Sequence, residues 1–366
     1  MKESITNVLD VRPNLKGSEI AAILGWHKKE INSFLAQHTD SYIRDEADFT
    51  WNNKEPLKVR EIKIDFPSGW VDADTYENDV LAGRDFFKNR VRVFFIFKKN
   101  TKLLLEVIAR FTSLINQLND YGTKVIVDLE NCHDAHRYLN RAGFFDFTNV
   151  GIMIFPKRPI YSTAKQFKGN CSTLVEFGEI CSLSENNQLK NDLRLSFVKQ
   201  TAPEYANVAT LFFAEFMGNV SDHSESRLKG FAGLQLYSPP NSRKHIQAVI
   251  SDSGRGVVAT LRTTLEQYYP DLYRKYPRDE NEADIGLALE VFSKGKITRF
   301  GDDSGRGLGF KSTRDNASKF DADLSIRLTN FNIKLAYRKG ELIETSILKN
   351  LSYLDGTHIC FDFLID

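Results

Sequence analysis

Apolar residues recur along this chain with two periods, and the switches between them mark its pieces. Near the start, Ile20 and Leu24 lie at a helical spacing that Gly25 interrupts, and Ile31, Phe34 and Leu35 resume it over 27–36. Val91–Phe97 is instead a dense run of Val, Ile and Phe, which predicts a strand. Leu104, Val107, Ile108, Phe111, Ile115 and Leu118 then return at helical intervals and predict a helix over 102–119. An apolar strand over 124–129 and a helix over 135–142 follow. Strand, helix, strand, helix predicts a parallel or mixed sheet with covering helices. Helical spacing recurs over 189–198 and again from about Ala209, and strands are predicted over 245–250 and 358–364.

These patterns divide the chain into a helical piece over 1–55, an α/β piece over 56–160 and a larger piece over 161–366, a multidomain α/β and α+β protein. The two short helices meeting at Gly25 match a helix-turn-helix, and Ile43 to Trp51 supplies a wing strand. Residues 1–51 hold six Lys/Arg against eight Asp/Glu, whereas a DNA reader presents a basic face. Protein contact is therefore preferred for this winged-helix-like start, with DNA contact through Lys28 and Lys29 as the alternative. The formal net charge of +1 predicts no strong attraction to nucleic acid or anionic membrane. No apolar run approaches the roughly 18–20 residues that span a bilayer, and the start lacks a basic flank and apolar stretch. Four scattered cysteines, Cys132, Cys171, Cys181 and Cys360, lack metal-ligand spacing and read as reduced thiols. The expectation is a cytoplasmic protein with no membrane segment.

Three short motifs in the last piece carry the chemistry. Glu215 and Asn219 lie four apart in a helical run, one turn from each other on one face. A carboxylate there can take a proton from water or a hydroxyl, and an amide oxygen suits a Mg²⁺ that keeps most of its waters. Asp252-Ser-Gly-Arg-Gly256 follows the strand over 245–250. An acid at a strand end can accept a hydrogen bond from an exocyclic amine, and Gly254 and Gly256 let backbone approach a flat ligand. Gly305-Arg-Gly-Leu-Gly309 leads into a helix predicted over 310–320, where N–H groups and the positive dipole end suit phosphate. Each motif alone is commonplace. Glu-x-x-x-Asn arises by chance, an Asp-initiated turn is ordinary surface structure, and the third motif lacks both P-loop and Rossmann context.

In this order the three resemble the N, G1 and G2 boxes of the GHKL superfamily, the ATP-binding fold of histidine kinases, DNA gyrase and anti-sigma-factor kinases. Asn219 and Asp252 are 33 positions apart, and Gly256 and Gly305 are 49 apart, similar to the family, whose ATP lid fills the second gap. Gly356-Thr357 before the closing strand is similar to the family's Gly-Thr pair. The resemblance implies a Bergerat-fold α/β sandwich over 161–366, with a mixed sheet and helices on one face, that binds ATP and Mg²⁺. It implies Glu215 as general base, Asn219 as Mg²⁺ ligand, Asp252 as adenine anchor and Thr357 near the adenine. Gly254, Gly256, Gly305, Arg306, Gly307, Leu308 and Gly309 would form lid hinges and phosphate cradle. The run from Asp222 to Ser224, Ser253 and the stretch over 288–298 are similar to the anti-sigma-factor serine kinase branch.

The middle piece, over 125–132 and 135–145, resembles a STAS domain, the anti-sigma-factor-antagonist fold. Where that family carries a phosphate-accepting Ser or Thr, this chain reads Asn131-Cys-His-Asp-Ala135, which implies a scaffold or interaction surface. The whole implies an ATP-binding regulator that hydrolyses ATP or passes its γ-phosphate to a partner protein. The alternative is a non-catalytic nucleotide-gated module, in which ordering of a lid over 257–304 controls partner binding. Oligomeric state stays open, a homodimer included.

Overall fold

A computed structural model of the chain describes residues 1–55, 60–87, 91–180, 187–223, 226–240, 242–278, 282–294 and 321–365. The chain divides into two compact units. The first comprises Met1–Leu81, Asp85–Leu104 and Leu114–Gln166, and the second Ala82–Arg84, Leu105–Ser113 and Phe167–Asp366. No helix among the described residues is long and apolar enough to cross a membrane.

The first unit opens with the helix Lys2–Val11, strand β1 (Leu15–Lys16), the helices Gly17–Leu24 and Lys28–Gln37, and strands β2 (Tyr42–Arg44) and β3 (Thr50–Asn53). Gly25 ends the second helix at φ +72°, a conformation glycine adopts without steric cost, so the predicted break is where the backbone needs it. The three strands form a small sheet in the order β1-β3-β2. Strands β4 (Arg60–Phe66), β5 (Gly69–Val71), β6 (Val91–Phe97), β7 (Thr101–Leu103), β8 (Lys124–Asp128) and β9 (Met153–Phe155) follow. A four-stranded sheet in the order β4-β6-β8-β9 is parallel at every described pairing, as intervening helices allow. The helical start and the α/β segment, separate pieces in the sequence, share one core in which Ile5, Ile20, Ile31 and Trp51 pack with Ile126, Met153 and Phe155. Cys132, in the loop after β8, is buried, with Sγ 3.4 Å from the Thr101 carbonyl oxygen.

The second unit holds strands β10 (Leu174–Ile180), β11 (Gly230–Tyr237), β12 (Lys244–Ser251), β13 (Ala322–Leu328), β14 (Phe331–Arg338), β15 (Glu341–Leu348) and β16 (Thr357–Ile365). Their order is β10-β11-β12-β16-β13-β14-β15. Alternate residues such as Ile246, Ala248 and Ile250, or Ile359, Phe361 and Phe363, enter one apolar core with the helices Asn187–Gln200, Ala206–His223, Gly256–Arg262 and Ala283–Lys294. Two expectations need correction. The sheet is antiparallel at every described pairing rather than mixed. Nor do helices cover one face alone. Residues Leu105–Ser113 meet the opposite face through polar groups, with the Glu106 N–H donating to Gln247 Oε1 at 3.2 Å and Arg110 Nη2 to Ser325 Oγ at 2.8 Å.

Candidate functional site

β12 and β16 are neighbours, and Ser251 pairs with His358 where one strand ends and the other begins. The ladder runs one step beyond the strand, because the Asp252 N–H donates to the Thr357 carbonyl oxygen at 3.1 Å. The Asp252 side chain folds back onto this corner. Its Oδ1 accepts from the Gly254 N–H at 2.8 Å and its Oδ2 from the Thr357 N–H at 3.2 Å. Thr357 Oγ1 in turn accepts from the Val257 N–H at 3.1 Å, so β16 satisfies an orphan donor in the first turn of the Gly256–Arg262 helix. Asp252, Gly254, Gly256 and Thr357 thus converge at one corner.

At Gly256 and Gly356 two backbone segments approach each other closely. A Cβ on Gly256, at φ +77°, would lie 3.0 Å from the Gly356 carbonyl oxygen. One on Gly356, at φ +99°, would lie 2.0 Å from that of Asp252. Gly356, to which the motif argument gave no role of its own, is the tighter of the two. Its only sequence signal is the Gly-Thr pair directly before a strand.

Glu215 and Asn219 both fall within the Ala206–His223 helix, one turn apart, but their side chains lie outside the described residues. Gly305, Arg306, Gly307, Leu308 and Gly309 lie outside them entirely. The predicted lid changes character. In its described part, Val258, Leu261, Leu265, Leu287, Ala288, Val291 and Phe292 are buried in the unit's core. Arg262 Nε pairs with Asp284 at 2.5 Å. In this part the segment from Val257 is helical, and the apolar positions over 285–292 enter the core. The rest of it, 279–281 and 295–304, lies outside the described residues.

Asp252 is 6% exposed, and burial pushes its pKa up to about 6, against the pull of the Gly254 and Thr357 N–H groups. At pH 7 the carboxylate is mostly ionised and accepts only. Its two oxygens offer about four lone-pair sites and take one backbone bond each, which leaves room for a donor from a ligand. These residues fit an exocyclic amine. Among the described residues no group of three or more His, Cys, Asp or Glu is placed to hold a metal ion. A cleft of about 620 Å³ is lined by residues of the first unit, among them Asn140, Phe145, Arg158 and Tyr161, and has no share in this corner.

The raised pKa sets a pH dependence. A carboxyl whose folded pKa exceeds its ordinary value of 3.8 stabilises the fold fully below 3.8, and that contribution is lost as pH rises through about 6. The gap is worth about 3 kcal/mol. Urea unfolding of the wild type and Asp252→Asn is therefore expected to show the wild type losing stability relative to the variant between pH 4 and 7. A difference that stays flat over that range means the carboxylate is not desolvated.

No protein-family model matches the chain, and no curated protein matches it.

Proposed function

We propose that the second unit binds Mg-ATP in a GHKL-type site and hydrolyses it or passes its γ-phosphate to a partner protein. The carrying observation is the Asp252 corner. Two motifs whose key residues are 105 positions apart meet there, and a buried, mostly ionised carboxylate sits at a strand end with acceptor capacity to spare. In this reading Asp252 accepts from the adenine amine, which a guanine carbonyl cannot donate. Glu215 takes the proton of the attacking water or hydroxyl, and the Asn219 amide oxygen holds Mg²⁺. Bound ATP supplies the phosphoryl group.

The order helix, strand, helix, helix, strand, strand at the start supports a winged-helix-like module. The parallel β4-β6-β8-β9 sheet, with a buried Cys132 in place of an accessible hydroxyl, supports a STAS-like scaffold that is not itself phosphorylated. Titration calorimetry on the full chain tests the reading. ATP is expected to bind well ahead of GTP, and Asp252→Asn to weaken ATP binding by about 1.5–3 kcal/mol, the worth of a hydrogen bond to a charged group. Equal affinities for ATP and GTP overturn it. Labelled γ-phosphate then separates hydrolysis from phosphotransfer.

A further inference from the structure

Directly behind the Asp252 corner lies a chain of buried hydroxyls and an imidazole. Ser251 immediately precedes Asp252 and His358 immediately follows Thr357, and the two are cross-strand partners, 0% and 3% exposed. Ser251 Oγ lies 2.5 Å from His358 Nδ1 and 3.0 Å from the Oγ of Ser113 on the Leu105–Asp120 helix. His358 Nε2 lies 2.9 Å from the Asp355 carbonyl oxygen.

The donors can be assigned. A carbonyl oxygen only accepts, so Nε2 carries a proton. Burial, aided by the nearby Arg327 charge, drives the His358 pKa down to about 3, so the ring is neutral and Nδ1 accepts. Ser251 therefore donates to His358 and is left to accept from Ser113. The order Ser113 to Ser251 to His358 to Asp355 leaves no member without a partner. It also closes a loop, since Asp355 precedes Gly356, the residue pressed against Asp252.

We propose that Ser251 and His358 are positioning residues for the nucleotide corner: their bond ties the end of β12 to the start of β16 and so fixes the Asp252 carboxylate against the Thr357 N–H. This rests on the nucleotide reading above. The pair touches no ligand and acts through Asp252 and Thr357. Removing the Ser251 hydroxyl strands the buried Nδ1 lone pair and the Ser113 hydroxyl together, and the strand ends lose this tie between their side chains.

The test combines ATP titration with amide hydrogen exchange on the full chain. Ser251→Ala is expected to weaken ATP binding about tenfold, about one hydrogen bond's worth, and to speed exchange at the Gly254 and Thr357 amides by a similar factor. His358→Asn keeps an acceptor near the Nδ1 position and should stay within about threefold of wild type in affinity. Ile333→Val, a truncation in the apolar core on β14 that does not touch the pair, should leave both readouts unchanged. If Ser251→Ala matches wild type in affinity and in Gly254 and Thr357 exchange, or if Ile333→Val disturbs them equally, the pair is only core filling. Should the wild type itself fail to bind ATP, the nucleotide reading falls. Exchange at the two amides still decides whether the pair positions the corner.

Discussion

Glu215→Gln is expected to keep ATP affinity and lose turnover by roughly 10²–10⁴-fold, the usual contribution of a positioned base. The two side chains have nearly the same shape and similar helix propensity, so the Ala206–His223 helix should be unaffected. That helix is held by Phe213, Phe216, Met217 and Val220 in the apolar core, and none of these contacts depends on the charge at 215. What the amide cannot do is take a proton from an attacking hydroxyl. Asp252→Asn should show the opposite signature, with binding lost first. Single-turnover assays at saturating ATP separate the two. Normal turnover in Glu215→Gln would remove the base and leave the non-catalytic, nucleotide-gated module as the better account.

Much of the fold could be read from periodicity. The strands expected over 91–97, 124–129, 245–250 and 358–364 all form. Ala322, Leu324, Ile326 and Leu328, then Phe331, Ile333, Leu335 and Tyr337, alternate as well and form two strands that were not among the expected elements. What lies between them was not legible. Ser325, Arg327 and Asn332 have the polar pattern of a solvated face, yet all three are buried. Arg110, itself paired with Glu106, reaches Ser325 Oγ at 2.8 Å and Asn332 Oδ1 at 3.1 Å, and Arg327 donates to the Leu328 and Ser352 carbonyl oxygens. A satisfied buried polar group and an exposed one look alike in sequence. Apolar spacing predicts a helix over 102–119, which forms over Leu105–Asp120 after the short strand Thr101–Leu103, but it does not say which sheet the first turns meet. Strand direction is hidden for a similar reason: β12 pairs with β16 across more than a hundred residues, and hydrophobic alternation names no partner. In the candidate site, Asp252 and Thr357 could be found because their motifs are short and local. Ser251 and His358 could not, since each is an ordinary strand residue until the two strands meet.

Gly356→Ala should be the most damaging single-methyl change in this region, at about 3 kcal/mol or more. Two costs add. An alanine at φ +99° pays the steric penalty of the left-handed region, about 1–2 kcal/mol. Its Cβ would also stand 2.0 Å from the Asp252 carbonyl oxygen and 3.0 Å from the Ser253 Cα, both backbone atoms that no rotamer change can move aside. Relief requires the ends of β12 and β16 to separate, which breaks the bonds from the Thr357 N–H to Asp252 and from the Asp252 N–H to Thr357. Gly169→Ala supplies the comparison within the same unit. Gly169 has φ +75° and nothing within 4 Å of a built Cβ, so it carries the conformational cost alone, about 1 kcal/mol. Urea unfolding of both variants should therefore show Gly356→Ala much the less stable, with ATP affinity reduced in whatever folds, while Gly169→Ala binds as wild type. Equal stability losses in the two would mean that the backbones of Asp252 and Gly356 do not press together. The corner would then owe its shape to something other than the contact that only glycine permits.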